Sequence, residues 1–222
     1  MRKGILLVAA LSVASAAPAA AQSKRVEVSA FAGYVFSDGV SGDPVKAGDG
    51  NTYDRVDPKD SGGWGLSLGI LASENVEVGF LFSQQMSSLE VSGTATRDLG
   101  DFNVNNYHGY FAYNFGSESS GVRPYLMAGV GATSYGTVSF TTAAGQSRDI
   151  GGETQLSPTL GAGVKFFPSP GFGARFGIRL TPTYIKSDAV GWWCDPFWGC
   201  YVVGNAQYSN QWELAGGIIF WF

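Results

Sequence analysis

The strongest constraint in this sequence is a two-residue rhythm. Val26, Val28, Ala30, Ala32, Tyr34 and Phe36 are apolar at every second position, with Glu27 and Ser29 between them. The alternation recurs over residues 64–70, 76–82, 107–115, 126–132, 160–166, 174–180 and 212–222. No charged side chain falls on any of the eight apolar rows, and Glu27, Glu77, Lys165, Arg175, Arg179 and Glu213 all stand on the opposite faces. A period of two belongs to the β-strand, whose side chains point alternately to the two faces of a sheet.

Only 14% of the 222 residues are charged, against roughly 25% in an average globular domain. The chain therefore disperses its apolar residues by alternation, and beyond its first segment it has no apolar block for a spanning helix. A net charge of −4 lacks the basic face that nucleic acid requires. That first segment reads as an address. Arg2 and Lys3 precede the apolar run Ile5–Leu11, and Ala19 and Ala21 supply the small residues before a cleavage point. The expectation is a secretory signal peptide over 1–21 and a single β domain over 22–222.

Alternation alone fits a water-soluble sandwich or a membrane barrel; connection lengths separate them. Ala72–Asn75, Gly116–Val122 and Phe167–Phe172 are short, whereas roughly Ser37–Gly62, Ser87–Phe102, Gly136–Gln155 and Lys186–Gln207 are long. Strict alternation of short and long puts all the long ones at one end, whereas Greek-key connections would scatter them. The aromatics agree. Tyr34, Phe36, Trp64, Phe82, Tyr107, Tyr184 and Trp212 fall near the long-loop end of their rows, and Phe115, Phe166, Phe220 and Phe222 near the other. Two such girdles are selected by the two bilayer interfaces. The fold expected is all-β, an eight-stranded antiparallel up-and-down transmembrane β-barrel with short periplasmic turns and four long extracellular loops. Pro182, late in the seventh strand, is expected to mark a bulge at the loop-side rim, where the ladder is ending.

The closing run Gly217-Ile218-Ile219-Phe220-Trp221-Phe222 resembles the β-signal of bacterial outer-membrane proteins. Arg123-Pro124-Tyr125 with Gly129-Val130-Gly131, then Gly161-Ala162-Gly163-Val164-Lys165, then Arg175 with Arg179, resemble the fifth, sixth and seventh strands of the eight-stranded bacterial outer-membrane β-barrel protein family, the outer-membrane protein A-like barrels. The resemblance implies the outer membrane of a Gram-negative bacterium, surrounding lipids and lipopolysaccharide, and handling by the barrel-insertion machinery through Gly217, Phe220 and Phe222. It does not fix a function, since one fold hosts many.

Eight strands enclose an interior that side chains can fill. Glu27, Glu77, Lys165, Arg175, Arg179 and Glu213 balance in charge and are expected to pair as a plug, because unpaired buried charge is costly. Glu27, Glu77, Lys165 and Arg175 lie near the short-turn end, and Arg179 and Glu213 deeper. The reading is a structural or surface-interacting barrel that needs no cofactor. A narrow conduit for small or hydrophobic solutes is the alternative, and a lipid A-modifying enzyme stands behind it. For the last, the lipid A deacylase pattern of a histidine two residues before a serine is absent, since Tyr110 follows His108, the only histidine.

Cys194 and Cys200 are the only cysteines, with five residues between them. In an exported chain they read as a disulfide. It would clamp a loop tip rich in Trp192, Trp193, Phe197, Trp198 and Tyr201, either as a cap over the barrel mouth or as a contact surface for a host or other surface ligand. The first long loop, with Asp38, Asp43, Asp49, Asp54, Asp57 and Asp60 against Lys46, Arg55 and Lys59, reads as solvated surface. It lacks the closing glutamate of a calcium loop.

Overall fold

The computed structural model describes residues 26–46, 50–117, 119–141, 147–169, 171–185, 194–195, 199–200 and 207–222. The strands are β1 (Val26–Ser37), β2 (Val40–Lys46), β3 (Thr52–Pro58), β4 (Ser61–Leu71), β5 (Val76–Gly93), β6 (Thr96–Asn114), β7 (Val122–Tyr135), β8 (Thr137–Thr141), β9 (Ser147–Gly151), β10 (Thr154–Ser169), β11 (Phe172–Ile185), β12 (Cys194–Asp195), β13 (Gly199–Cys200) and β14 (Gln207–Trp221). Eight of them close a ring in the order β5-β4-β1-β14-β11-β10-β7-β6, sealed by the β5–β6 pairing. All pairings are antiparallel, so the barrel is the expected one. Lateral partners followed from Tyr107 through Phe82, Leu66, Ala30, Ile218, Ala174 and Phe166 arrive at Val122, and the β6–β7 register, continued three residues past its last pair Asn114↔Tyr125, sets Val122 level with Ser117, ten residues from the start. Such a stagger tilts the strands by roughly 35–45° from the barrel axis.

Every apolar row faces outward. Leu66, Leu68, Ile70, Phe80, Leu160, Ile178 and Leu214 are each at least 42% exposed, a liability in water that a bilayer removes. The outer girdle is in contact, with ring centroids 5.5 Å apart for Trp64–Phe82, 5.2 Å for Phe82–Tyr107 and 5.4 Å for Tyr184–Tyr208. Phe172–Phe220 at 5.6 Å and Tyr113–Phe115 at 5.0 Å belong to the short-turn end. There Gly116 and Gly171 take φ of 85°, a turn conformation that side chains disfavour. The Asn75 amide donates to the carbonyls of Asn114 and Gly116, tying two turns together.

Three of the long connections differ from the expectation of loops. β5 and β6 continue past the girdle as one hairpin and meet at Ser92↔Thr96. The acidic segment after β1 is a second hairpin, β2–β3, in which β3 pairs with the upper part of β5 from Tyr53↔Gly93 to Pro58↔Leu89. β8 and β9 form a third. The segment read as solvated surface thus contributes Val40, Tyr53 and Val56 to a buried cluster with Leu89, Val91, Phe102, Val104, Tyr135 and Val138. We call this assembly the crown.

The cause is visible along β6. From Asn114 back to Asn106 its outward face is apolar and its inward face carries Asn114, His108 and Asn106 along with Tyr110 and Ala112; nearer the start of the strand Val104 and Phe102 point inward while Asn105 and Asn103 point outward. Strand β5 inverts in the same way, from inward Ser83 and Gln85 to inward Leu89 and Val91. Strands that leave the bilayer for water must exchange their faces.

Pro182 does not sit at a bulge. It pairs in register with Asn210 of β14, and the β10–β11 ladder stops at Leu160↔Leu180, just short of Pro158 and Pro182. The Thr159 hydroxyl bridges the strands there, 3.3 Å from the Leu180 carbonyl and 3.2 Å from the Thr181 hydroxyl.

Candidate functional site

The lumen is built in levels. Nearest the short turns, Lys165 of β10 places its Nζ 2.8 Å from Glu27 Oε2 of β1 and 2.6 Å from Glu77 Oε2 of β5. All three are at most 2% exposed. One ammonium between two carboxylates needs further donors, and they are present. Trp221 Nε1 donates to Glu27 at 2.9 Å, Tyr110 Oη to Glu77 at 2.6 Å and Asn114 Nδ2 to Glu77 at 3.4 Å.

Arg175 departs from the expected pairing by charge. Its guanidinium donates to Ser29 and Ser67 hydroxyls at 3.1 and 3.2 Å and to Tyr125 Oη at 3.0 Å. It also lies against the rings of Tyr125 and Phe31, 5.2 and 5.7 Å from their centroids. No carboxylate comes within 4 Å of it among the described residues. Arginine accepts this arrangement because its flat, weakly hydrated head stacks on aromatic faces.

Above it Phe31, Leu81, Tyr110, Ala112, Tyr125 and Met127 form an apolar belt across the lumen. Glycines on neighbouring strands make the room. A Cβ on Gly69 or Gly79 would come within 2.8 Å of Tyr110, and one on Gly163 or Gly177 within 2.7 Å of Tyr125. Over the belt, Arg179 pairs with Glu213 at 2.5 Å and donates to Ser83 at 2.6 Å. A cavity of about 20 Å³ lies between Arg175 and this pair, room for a single water molecule.

The outermost level is neutral. His108 Nε2 is 3.0 Å from Ser157 Oγ, and the Thr133 hydroxyl donates to Asn106 Oδ1 at 2.7 Å. Asn106 donates to Gln211, and Gln211 to Gln85, at 3.2 and 3.1 Å. The His108–Ser157 approach is the pairing that acyl transfer needs. Yet both residues are fully buried, and among the described residues Nδ1 of His108 has no hydrogen-bond partner.

The structure therefore brings together Glu27, Glu77 and Lys165 in one group, and Arg179 and Glu213 in a second. Sequence reasoning missed Arg123, 1% exposed with Nη2 donating to the Glu74 carbonyl at 2.6 Å. It also missed Ser157, Tyr125 and the belt. Arg123 was legible, since it shares the inward face of β7 with Tyr125 and Met127. Gly217 and Phe220 lie in β14, which closes the barrel against β1, and Phe222 follows its last residue, exchanging backbone hydrogen bonds with Val26 at 3.0 Å. Phe220 and Phe222 face outward at 40% and 77% exposure.

On the crown, Lys59 Nζ lies 3.1 Å from Glu90 and 2.9 Å from Asp98. The Lys59 ammonium and the Gly100 N–H hold the Asp98 carboxyl below its usual range, and Asp98 with Glu90 raises Lys59. Arg55 pairs with Asp57 at 2.8 Å. The backbone ladder sets Cys194 opposite Cys200. Trp192, Trp193, Phe197, Trp198 and Tyr201 lie outside the described residues, as does the segment 1–21.

The family model for the outer membrane protein beta-barrel domain matches residues 6–211. No curated protein sequence matches the chain. Among solved structures, OprG of Pseudomonas aeruginosa aligns with a TM-score of 0.56 and 15% identity, covering 90% of this chain and 96% of that one. AlkL aligns at 0.54 and 15%, covering 93% and 94%. Neisserial surface protein A aligns at 0.53 and 15%, covering 89% and 97%. At that identity the likeness is one of fold.

Proposed function

We propose, on the premise that this chain belongs to the outer membrane protein beta-barrel domain family, that it is a non-conducting barrel of the cell outer membrane whose crown meets partners at the surface. The observation that carries the reading is the filled lumen. Two ionic levels, an apolar belt and a neutral hydrogen-bonded level occupy the cross-section in succession, and every polar level is held by side chains from several strands. Such a core anchors the barrel and leaves recognition to the crown. Its partners would be a host or other surface ligand and lipopolysaccharide.

Two finer elements belong to the same reading. The first 21 residues act as a cleaved export signal, and Gly217, Phe220 and Phe222 as the segment read by the insertion machinery. A disulfide joins Cys194 to Cys200, supported by their directly opposed positions in an antiparallel pair, where Cα atoms lie about 4.5–5.5 Å apart, within disulfide reach. Loss of about 2 Da from the intact mass relative to the reduced chain checks the bridge.

Planar-bilayer recording tests the function. The purified barrel is expected to give no sustained openings. A stable ohmic conductance that grows in Arg179→Ala or Glu213→Ala would replace this reading with the conduit. For the enzyme alternative, lipid A mass is expected to stay unchanged on overexpression, and a change lost in His108→Ala would overturn that.

A further inference from the structure

The outward wall is not uniformly filled. Along β7 and β10 it carries Ala128 and Ala162 where neighbouring strands carry Phe111, Ile178 and Leu214. The two alanines and the backbone of Gly161 floor a groove of about 580 Å³, within the roughly 300–1,000 Å³ of small-molecule sites. Its long side is a lateral row fixed by register: Phe111↔Ala128↔Leu160↔Leu180↔Trp212.

The row has a direction. With strands about 4.8 Å apart and tilted by roughly 35–45°, four steps climb on the order of 12 Å. It starts at Phe111, four residues below the girdle residue Tyr107, and ends at Trp212, which pairs with Phe36 at the girdle itself. The groove thus rises from the middle of the hydrocarbon to the outer interface. Directly above its upper end are the rings of Tyr184 and Tyr208, the latter 59% exposed. The outer girdle is also broken beside it, since Ala132 and Leu156 stand on the Tyr107 row where β7 and β10 would otherwise carry aromatics.

We propose that this groove seats one acyl chain of an outer-leaflet lipid A molecule, its sugar headgroup resting on Trp212, Tyr184 and Tyr208. The groove is continuous with the lipid-facing wall, which makes the occupant hydrocarbon. Its rise to the outer interface selects the outer leaflet, where a tail descends from a headgroup at girdle height. Small residues in the floor, flanked by Phe111, Leu160, Ile178 and Trp212, let the chain lie close to the backbone between bulky walls, which turns general solvation into a defined seat. The inference rests on the membrane-barrel reading and is independent of whether the lumen conducts.

Native mass spectrometry of the detergent-extracted full chain, titrated with purified hexa-acylated lipid A or with phosphatidylethanolamine, tests the seat. Ala128→Leu and Ala162→Leu fill the floor, while Ala30→Leu adds the same bulk to the lipid face of β1. Heat-modifiable gel mobility, retained in all three, shows that the barrel itself is intact. The expected result is lipid A binding weakened on the order of tenfold in both groove variants and unchanged in Ala30→Leu. Equal binding in all variants would overturn the site. Phosphatidylethanolamine retained in place of lipid A would overturn the assignment of the occupant. A dimer that disappears in the groove variants would show a second copy there instead.

Discussion

The barrel and the crown are made from the same strands and have opposite interiors. Within the membrane, β5 and β6 turn Glu77, His108 and Asn106 inward; beyond it they turn Leu89, Val91, Phe102 and Val104 inward. The local chemistry of a β-strand is the same in both places, so the difference comes from the surrounding medium. Hydrocarbon outside leaves polar groups only the lumen, and water outside returns apolar groups to the core. The two regions should accordingly fail in different ways.

The largest effect is expected at the shared ammonium. Lys165→Met leaves Glu27 and Glu77 facing each other in a site with almost no solvent, and breaking a buried pair this way costs about 3–5 kcal/mol. Urea titration in detergent micelles is expected to show a lower midpoint for the whole barrel, with crown and barrel lost together. An unchanged midpoint would remove the ionic level as a support.

Next comes the outward wall. Leu68→Arg puts a charge into hydrocarbon at a cost of about 2–4 kcal/mol near the midplane. Reduced heat-modifiable species in the outer-membrane fraction is the expected outcome.

The crown should break alone. Leu89→Ala empties part of its apolar cluster at about 2–5 kcal/mol, yet the pairing below Gln85 is untouched. Limited proteolysis of intact cells is expected to nick the β5–β6 or β2–β3 hairpin while the barrel keeps its fast gel mobility. A variant that loses that mobility would show the two regions to be one cooperative unit.

The smallest effect is electrostatic. Asp98 is held below its usual range when folded, so its contribution is present above the unfolded value of about 3.9 and is lost as pH falls through the lower folded one. Proteolysis of the crown by an acid-active protease is expected to quicken below about pH 4, and less so in Asp98→Asn, which has no such charge to lose.

The barrel was legible because its signal is periodic. Eight uncharged rows, the order of connections and the segregated aromatics each follow from hydrocarbon on one side, and the eight ring strands occupy those rows. The crown was not, because the reading of β5 ended at Phe82, where the outward apolar row stops. Leu89 with Val91, and Phe102 with Val104, carry the same alternation in the opposite phase, and a search for a phase change would have found them. The charge groups of the lumen were partly legible. Glu27, Glu77 and Lys165 share a depth by strand position, but which partner Arg175 takes depends on Tyr125 crossing the lumen over Gly163 and Gly177. That choice is set by shape across the barrel and leaves no mark on local spacing. Pro182 suggested a bulge where the ladder ends; the β10–β11 ladder does end beside it, but Pro182 stays in register with Asn210 and no bulge forms.

Spin labels on β4, examined by collision with oxygen and with a water-soluble nickel chelate in lipid vesicles, test the inside-out arrangement most directly. Labels at Leu66, Leu68 and Ile70 are expected to meet oxygen freely and the chelate hardly at all, while a label at Ser67 meets neither. Ready access of the chelate to Leu66 and Leu68 would contradict a wall that faces hydrocarbon.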